Sequence, residues 1–489
     1  MQFVKNTLPY LKRAVWEVKN EEQTQEVKLT ESLPDIGKIL GAWGQPLIRS
    51  KEWRGSGMSV SGGVMVWILY NSEEGSSESV ETWIPFQIHW DFPPTQHDGV
   101  MRIGCQLKMI DARSISARKM MVRVVVSAVG EALEPGQVQW YQCTDVSQDV
   151  QLLRSKYPVC LLTEAGEKPV SLEEELTPKG NLTKILRCNL QPEIVEKKIM
   201  ADKVVFRGNA KVTVLGMDEE GKIQSSEFEF PFSQYAELEK EYDSDPLLDV
   251  IPAVTNLEAD IKENGTIGLK AGIIGQYAVY DRPVLELIQD AYSLQRPVTP
   301  QLQSLVLPAV LEMKRESFPV ETTGGEISGS ILDRAMFLGY PTQNRATDRI
   351  YMEIPGSFQT LQCSEEGVLQ GGNAQWEKSW ETQVANDASI LARTVPGGKM
   401  QVSGNEIHGE IVVDMLTTTM TDIPMVTALE LGETAQPDEN RPSLILRRAG
   451  NQSLWDIAKE CGTTVEMLQQ ANGLSEEPEE NQLLLIPVL

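Results

Sequence analysis

Residues 34–86 read PDIGKILGAWGQPLIRSKEWRGSGMSVSGGVMVWILYNSEEGSSESVETWIPF, and residues 180–232 read GNLTKILRCNLQPEIVEKKIMADKVVFRGNAKVTVLGMDEEGKIQSSEFEFPF. Set side by side without a gap, at a constant offset of 146, they share 17 identities in 53 pairs. Unrelated chains of average composition would match at only on the order of one position in fifteen. The chain therefore contains a duplicated unit.

The identities say what kind of unit it is. Lys38-Ile39-Leu40 returns as Lys184-Ile185-Leu186, and Gln45-Pro46 as Gln191-Pro192. Gly62 and Gly208 each precede an alternating apolar run, Val64, Val66, Ile68 in one copy and Ala210, Val212, Val214 in the other. Alternation with period two marks a half-buried strand. Glu73-Glu74-Gly75 and Glu219-Glu220-Gly221 then supply an acidic turn with a glycine free to take positive φ, as a hairpin needs. The returning strand reaches Pro85-Phe86 and Pro231-Phe232, and a proline, which cannot donate to a ladder, belongs at a strand end or sheet edge.

Two more β-rich runs follow each proline, Val100 to Ile110 and Lys119 to Val129 in the first copy, Val250 to Ala259 and Thr266 to Tyr277 in the second. The pattern predicts a mainly β protein of tandem antiparallel, sandwich-like domains, spanning 1–140 and 150–295. Residues 301–432 carry weaker echoes. Ile354-Pro355 followed by Ser357-Phe358-Gln359 resembles Ile84-Pro85-Phe86-Gln87, and Met400 to Gly404 resembles Met58 to Gly62. They are read as a degenerate third copy. Val284 to Met313 is rich in leucine and predicts a helical connector interrupted by proline. Residues 433–442 hold turn formers and no apolar period, as a linker does.

The last segment, 443–489, has another grammar. Leu444 to Arg448 predicts a short strand, Ser453 an N-cap before Leu454, Trp455, Ile457, Ala458 and Cys461, and Thr464 a second cap before Val465, Leu468 and an inward Ala471. Asn472-Gly473 fits a left-handed C-cap, and Leu483 to Ile486 a final strand including Leu484. The order is βααβ.

Composition narrows the function. Lys+Arg total 44 against Asp+Glu 70, a net charge of −26, and such an excess of acid repels phosphate backbones. His89, His97 and His408 are too few for a histidine-rich metal site. Cys105, Cys143, Cys160, Cys188, Cys363 and Cys461 show no CxxC spacing and read as buried small hydrophobes of a reducing compartment. The first twenty residues mix charged with apolar side chains, unlike a secretory signal, and no stretch approaches a membrane span. The chain is expected to stay in the cytoplasm. No nucleophile elbow, HExxH, P-loop or dinucleotide fingerprint is present, so no enzyme, metal or cofactor is expected.

The stretch SLWDIAKECGTTVEMLQQANGL, with LLIP after it, resembles a LysM domain. That resemblance implies a binder of N-acetylglucosamine polymers, with a groove between the loop after the first strand and the loop before the last. Here these loops hold Gly450, Asn451, Gln452 and Ser453, and Gly473, Leu474, Ser475, Glu476 and Glu477, the second extending to Asn481. Leu454, Trp455, Ile457, Leu468 and Ile486 would form the small core. The loops depart from the family, with Asn451-Gln452 where Gly-Asp is usual, Glu480-Asn481 where Pro-Gly is frequent, and four glutamates in the second loop. An acidic loop suits a basic protein partner better than a neutral glycan.

The repeated β units followed by a terminal LysM also resemble the SPOCS-domain family of SipL/SpoVID-like spore coat morphogenetic proteins. The repeated Gly62 and Gly208, the hairpins to Pro85-Phe86 and Pro231-Phe232, and the domain order carry this resemblance. It implies a scaffold in the mother-cell cytoplasm, at the forespore surface, that meets a SpoIVA-like coat protein through its LysM module and has other coat components as further partners. The alternative is a peptidoglycan binder using LysM in its common role.

Overall fold

The structure, a computed structural model, describes residues 2–242, 245–323, 329–346, 349–384, 388–395, 399–434 and 442–488. The first unit contains β1 (Phe3–Lys28), β2 (Ile36–Trp53), β3 (Gly57–Ser72), β4 (Ser77–Asp91), β5 (Val100–Ser116) and β6 (Lys119–Cys143). The second contains β7 (Val150–Pro158), β8 (Leu161–Leu176), β9 (Leu182–Met200), β10 (Lys203–Asp218), β11 (Ile223–Glu237), β12 (Leu247–Ile261), β13 (Ile267–Asp281) and β14 (Val284–Ser293). The third contains β15 (Val298–Thr323), β16 (Ser330–Leu338), β17 (Thr342–Ala346), β18 (Arg349–Cys363), β19 (Leu369–Glu381), β20 (Ser389–Val395), β21 (Met400–Ser403) and β22 (Glu406–Leu431). The terminal module is β23 (Leu444–Arg448), α1 (Leu454–Cys461), α2 (Val465–Asn472) and β24 (Leu483–Pro487).

One topology occurs three times. A meander (β2-β3-β4, β9-β10-β11, β16-β18-β19) packs against a sheet in which a late strand lies between an early strand and one that follows the meander (β1-β6-β5, β8-β13-β12, β15-β22-β20). In the first and third units the first and last strands form a ribbon 26 residues long on one side, Phe3–Lys28 and Val298–Thr323. In the second the same ribbon is broken beside Pro158 and Pro283, which have no N–H to give the ladder, and continues as the pair β7-β14.

The 146-residue spacing explains itself in contacts. Gly62 pairs across the sheet with Phe86, and Gly208 with Phe232. A Cβ on either glycine would lie 2.1 Å from Leu47 O or 2.2 Å from Glu193 O, with the phenylalanine ring covering it. The third unit keeps the device with other residues, Gly356 opposite Trp376. The acidic turn also recurs at Glu365-Glu366-Gly367, 146 residues beyond the second. Gly75, Gly221 and Gly367 have φ of 92°, 79° and 80°, and each donates its N–H to the residue three before it, Ser72, Asp218 and Ser364.

Several expectations are corrected. Val284 to Met313 is not a helical connector but β14 and the start of β15. Leu285, Leu287, Leu307 and Leu311 are buried there beside Val138, Ile423 and Leu416, so tertiary packing outweighs the helix propensity of leucine. The echoes in 301–432 do not correspond: Ile354-Pro355 lies in the central strand β18 whereas Ile84-Pro85 lies in β4, and Met400–Ser403 is a short strand against β22. Of the linker 433–442, residues 435–441 lie outside the described residues.

The three units close on one another. Gln276 of the second holds both backbone groups of Ile103 on edge strand β5, donating to its carbonyl at 2.8 Å and accepting from its N–H at 2.9 Å. Gln106 of the first donates to Thr394 O of the third at 2.8 Å. Side-chain amides thus stand in for the missing strand neighbour. At the centre Asp249 (β12) accepts from Arg102 (β5) at 2.5 Å and from both terminal nitrogens of Arg393 (β20). Arg102 also donates to Glu131 at 2.6 Å, which accepts from Arg13 at 2.7 Å. Burial disfavours the charge on Asp249 and Glu131, but their arginines outweigh it, and both carboxyls lie below the ordinary range.

Candidate functional site

The LysM-like module forms as its sequence dictates. Ser453 caps α1 in a complete capping box with Asp456, Thr464 caps α2, and Gly462 and Gly473 close the helices in the left-handed conformation. Leu454, Ile457, Ala458, Cys461, Leu468, Leu484 and Ile486 make the core. Asn472 does more than end a helix. Its side-chain amide accepts from Leu485 N and donates to Leu485 O, both at 2.7 Å, tying α2 to β24. Ala471, expected inward, is exposed; only Leu468 of α2 is fully buried.

Trp455 departs from the simple core reading. It is half-buried at the margin of the module, its ring edge-on to Tyr292 of β14 with centroids 4.8 Å apart. The indole Nε1 donates to Asp290 Oδ2 at 2.8 Å, Lys459 Nζ donates to the same carboxylate at 2.7 and 2.9 Å, and Tyr292 donates to Thr463 O at 2.8 Å. Burial works against the Asp290 charge, but the bonds from Lys459 and Trp455 win and lower its pKa. Burial, then Asp290 beside it, pushes the Tyr292 phenol up to about 12, so it stays a donor. Asp290 and Tyr292 sit two apart and share one strand face.

None of the seat residues belongs to either loop. Gly450, Asn451 and Gln452 are exposed, as are Gly473, Ser475, Glu476 and Glu477; Ser453 and Leu474 are partly covered. Gln452 is held by Arg447 at 2.6 Å, which also binds Glu460 at 2.8 Å. The second loop reaches the start of α1, just after the first loop, for Leu454 N donates to Glu477 Oε2 at 2.6 Å. Glu476, Glu477, Glu479 and Glu480 form no ion pair among the described residues. The structure therefore brings the loop residues together as one exposed, acidic edge.

A second concavity of about 730 Å³ opens where the three β units meet, with Lys211, Arg315 and Arg393 among its lining. Those three cations are already held by Glu193, Asp414 and Asp249. The seat residues Asp290, Tyr292 and Lys459 had no sequence signal of function, because they lie up to 169 residues apart and two of them fall in the stretch read as helical. Among the described residues no helix is long and apolar enough to cross a membrane.

A family model described as SipL, SPOCS domain matches residues 181–262, which hold strands β9 to β12, and a LysM domain model matches residues 450–487. Comparison with curated proteins and with solved structures found no match. Both matched domains are of non-catalytic binding or scaffold type, and together they support a coat-associated protein of sporulation. The chain carries a SipL-type SPOCS domain and a C-terminal LysM domain, the architecture of the SipL/SpoVID-like spore coat morphogenetic proteins.

Proposed function

We propose that the chain is a non-catalytic scaffold of the spore coat, working in the mother-cell cytoplasm at the forespore surface. Its LysM module meets a SpoIVA-like protein there, and its three β units are SPOCS-like domains joined into one body. The observation that carries this reading is the seat: Asp290 and Tyr292 fix the module through Trp455, Lys459 and Thr463 and leave both loops free. A module held at a set orientation, with an unpaired acidic edge outward, suits a protein with a basic surface, because complementary charge steers encounter and fixes register.

The test is direct binding of the full-length chain to purified SpoIVA-like protein, in parallel with co-sedimentation on cell-wall sacculi. Micromolar or tighter binding that is lost when Glu476, Glu477, Glu479 and Glu480 are replaced by Gln supports the reading. Retention on sacculi that chito-oligosaccharides compete away, with no binding to the coat protein, favours peptidoglycan as the target instead.

A further inference from the structure

We propose that the outer face of the terminal module's two-stranded sheet is a docking surface for an amphipathic segment of a partner protein, one whose apolar stripe is flanked by lysine or arginine. The inference deepens the preceding reading and rests on it for the kind of partner. Strand β24 reads Leu483-Leu484-Leu485-Ile486-Pro487, apolar at every position. A strand with one face in water alternates apolar with polar residues, whereas an unbroken apolar run belongs to a strand covered on both faces. Here only one face is covered. Leu484 and Ile486 are fully buried among the side chains of α1 and α2, and Ile445 of β23 packs beside them.

On the other face the register sets Leu444 opposite Pro487, Leu446 opposite Leu485 and Arg448 opposite Leu483. Leu444, Leu446 and Leu483 are 51%, 62% and 53% exposed. The leucines cannot be turned inward by a slip of the strand, because Arg447 on the helix side reaches Glu460 of α1 at 2.8 Å. The seat at Asp290 and Tyr292 grips Trp455, Lys459 and Thr463, all on the helix side, so the β body does not cover this face either. A contiguous exposed apolar cluster with a polar rim marks an interaction surface.

Charge decides the occupant. The face ends at the second loop, where Arg448 donates to Asn481 O at 3.3 Å. Glu476, Glu477, Glu479 and Glu480 stand in that loop without an ion pair among the described residues and outnumber the arginine. A segment with basic residues beside its apolar stripe satisfies both parts of the surface. The same glutamates repel an anionic bilayer, and a second copy of the chain would bring its own excess of acid to the contact.

The experiment titrates the full-length chain, as parent and as the double variant Leu446→Gln/Leu483→Gln, with two short amphipathic model helices, one of leucine and lysine and one of leucine and glutamate, and with the purified SpoIVA-like protein. The parent is expected to bind the leucine–lysine helix, and the double variant to bind it roughly 10- to 100-fold more weakly, as does the coat protein. The leucine–glutamate helix should bind the parent about tenfold more weakly than its basic counterpart. Thermal melts of parent and variant should coincide, since both substitutions lie at exposed positions. Equal binding of the basic helix by parent and variant, or a preference for the acidic helix, overturns the proposal. Dimerisation, or co-sedimentation with phosphatidylglycerol vesicles, that the double variant abolishes would give the face to a second copy or a bilayer and overturns it as well. Coat-protein binding that the variant leaves unchanged overturns this inference and not the preceding reading. A parent that takes the basic helix but not the coat protein overturns the preceding reading and supports the surface.

Discussion

The indole nitrogen of Trp455 reaches Asp290 across 165 residues of chain, at 2.8 Å, so a side chain typical of the small module's interior is turned into the hinge pin between that module and the β body. Asp290→Ala removes the acceptor of this bond and the partner of Lys459. A hydrogen bond to a charged group contributes about 1.5–3 kcal/mol and a partly exposed ion pair under about 1 kcal/mol. The variant should keep both parts folded while protease cleavage between the third unit and the module becomes several times faster. Asp290→Asn, which still accepts from the indole, should lie between. Cleavage at the parent rate in both would show that other contacts hold the module.

Asp249 is the hub of the β body. Replacing it with Ala leaves Arg102 and Arg393 charged and facing each other with neither in water, and breaking a buried pair costs about 3–5 kcal/mol. Urea unfolding should show a loss of that size, shared by all three units. A loss confined to the second unit, seen as a separate early transition, would mean that the three do not fold as one.

Acid should weaken the same hub. The Asp249 and Glu131 carboxyls are depressed in the folded state, so they contribute stability that is fully present above the unfolded carboxylate values, about 4. It is lost as pH falls through the lower folded values, because the unfolded chain binds protons first. Stability should be flat in this respect near neutrality and decline below about pH 4, with the slope reduced in Asp249→Ala. An unchanged slope in that variant would place the acid sensitivity elsewhere.

The buried pair Arg187–Asp333, at 3.0 Å, is a different case. Burial prevails at both ends, lowering the arginine and raising the aspartate, and Arg187 Nε has no hydrogen-bond partner among the described residues. Asp333→Leu alone should destabilise by about 3–5 kcal/mol, since it strands the guanidinium. Pairing it with Arg187→Met should restore or exceed parental stability, and thermal melts of the three proteins check this. A double variant as weak as the single one would make the pair a net stabiliser.

Gly208→Ala puts a Cβ 2.2 Å from the Glu193 carbonyl and against the Phe232 ring. Overpacking of this kind costs about 1–3 kcal/mol. Adding Phe232→Ala should not recover stability, because the closer obstacle is backbone. Full recovery in the double variant would assign the glycine to the ring alone.

Where side chains alternate and glycine closes a turn, the fold was open to reading from sequence. The hairpins at Glu73 and Glu219 and the four elements of the terminal module follow from local chemistry. The turn at Glu365-Glu366-Gly367 carried the same 146-residue signal, yet the strands around it diverged, Gly356 and Trp376 having moved the glycine–aromatic pair along the sheet. The β14 ribbon was hidden for another reason. Its leucines are good helix formers in isolation, and only packing against Val138 and Ile423 makes them a strand. The loop residues of the site could be listed from their order in the chain. Their seat could not, because Asp290 becomes adjacent to Trp455 only in three dimensions.

The alternation Arg102, Asp249, Arg393 has an implication for how such a body can be made. These residues come from the corresponding strand of each unit, β5, β12 and β20, and meet at one point. Three separate identical polypeptides arranged in a ring would bring three copies of one residue to that point, and like charges in a dry centre repel. Joining the copies in a single polypeptide frees each to differ, so opposite charges can interleave. The covalent tandem is thus what permits an ionic keystone at a position where exact rotational symmetry would forbid one.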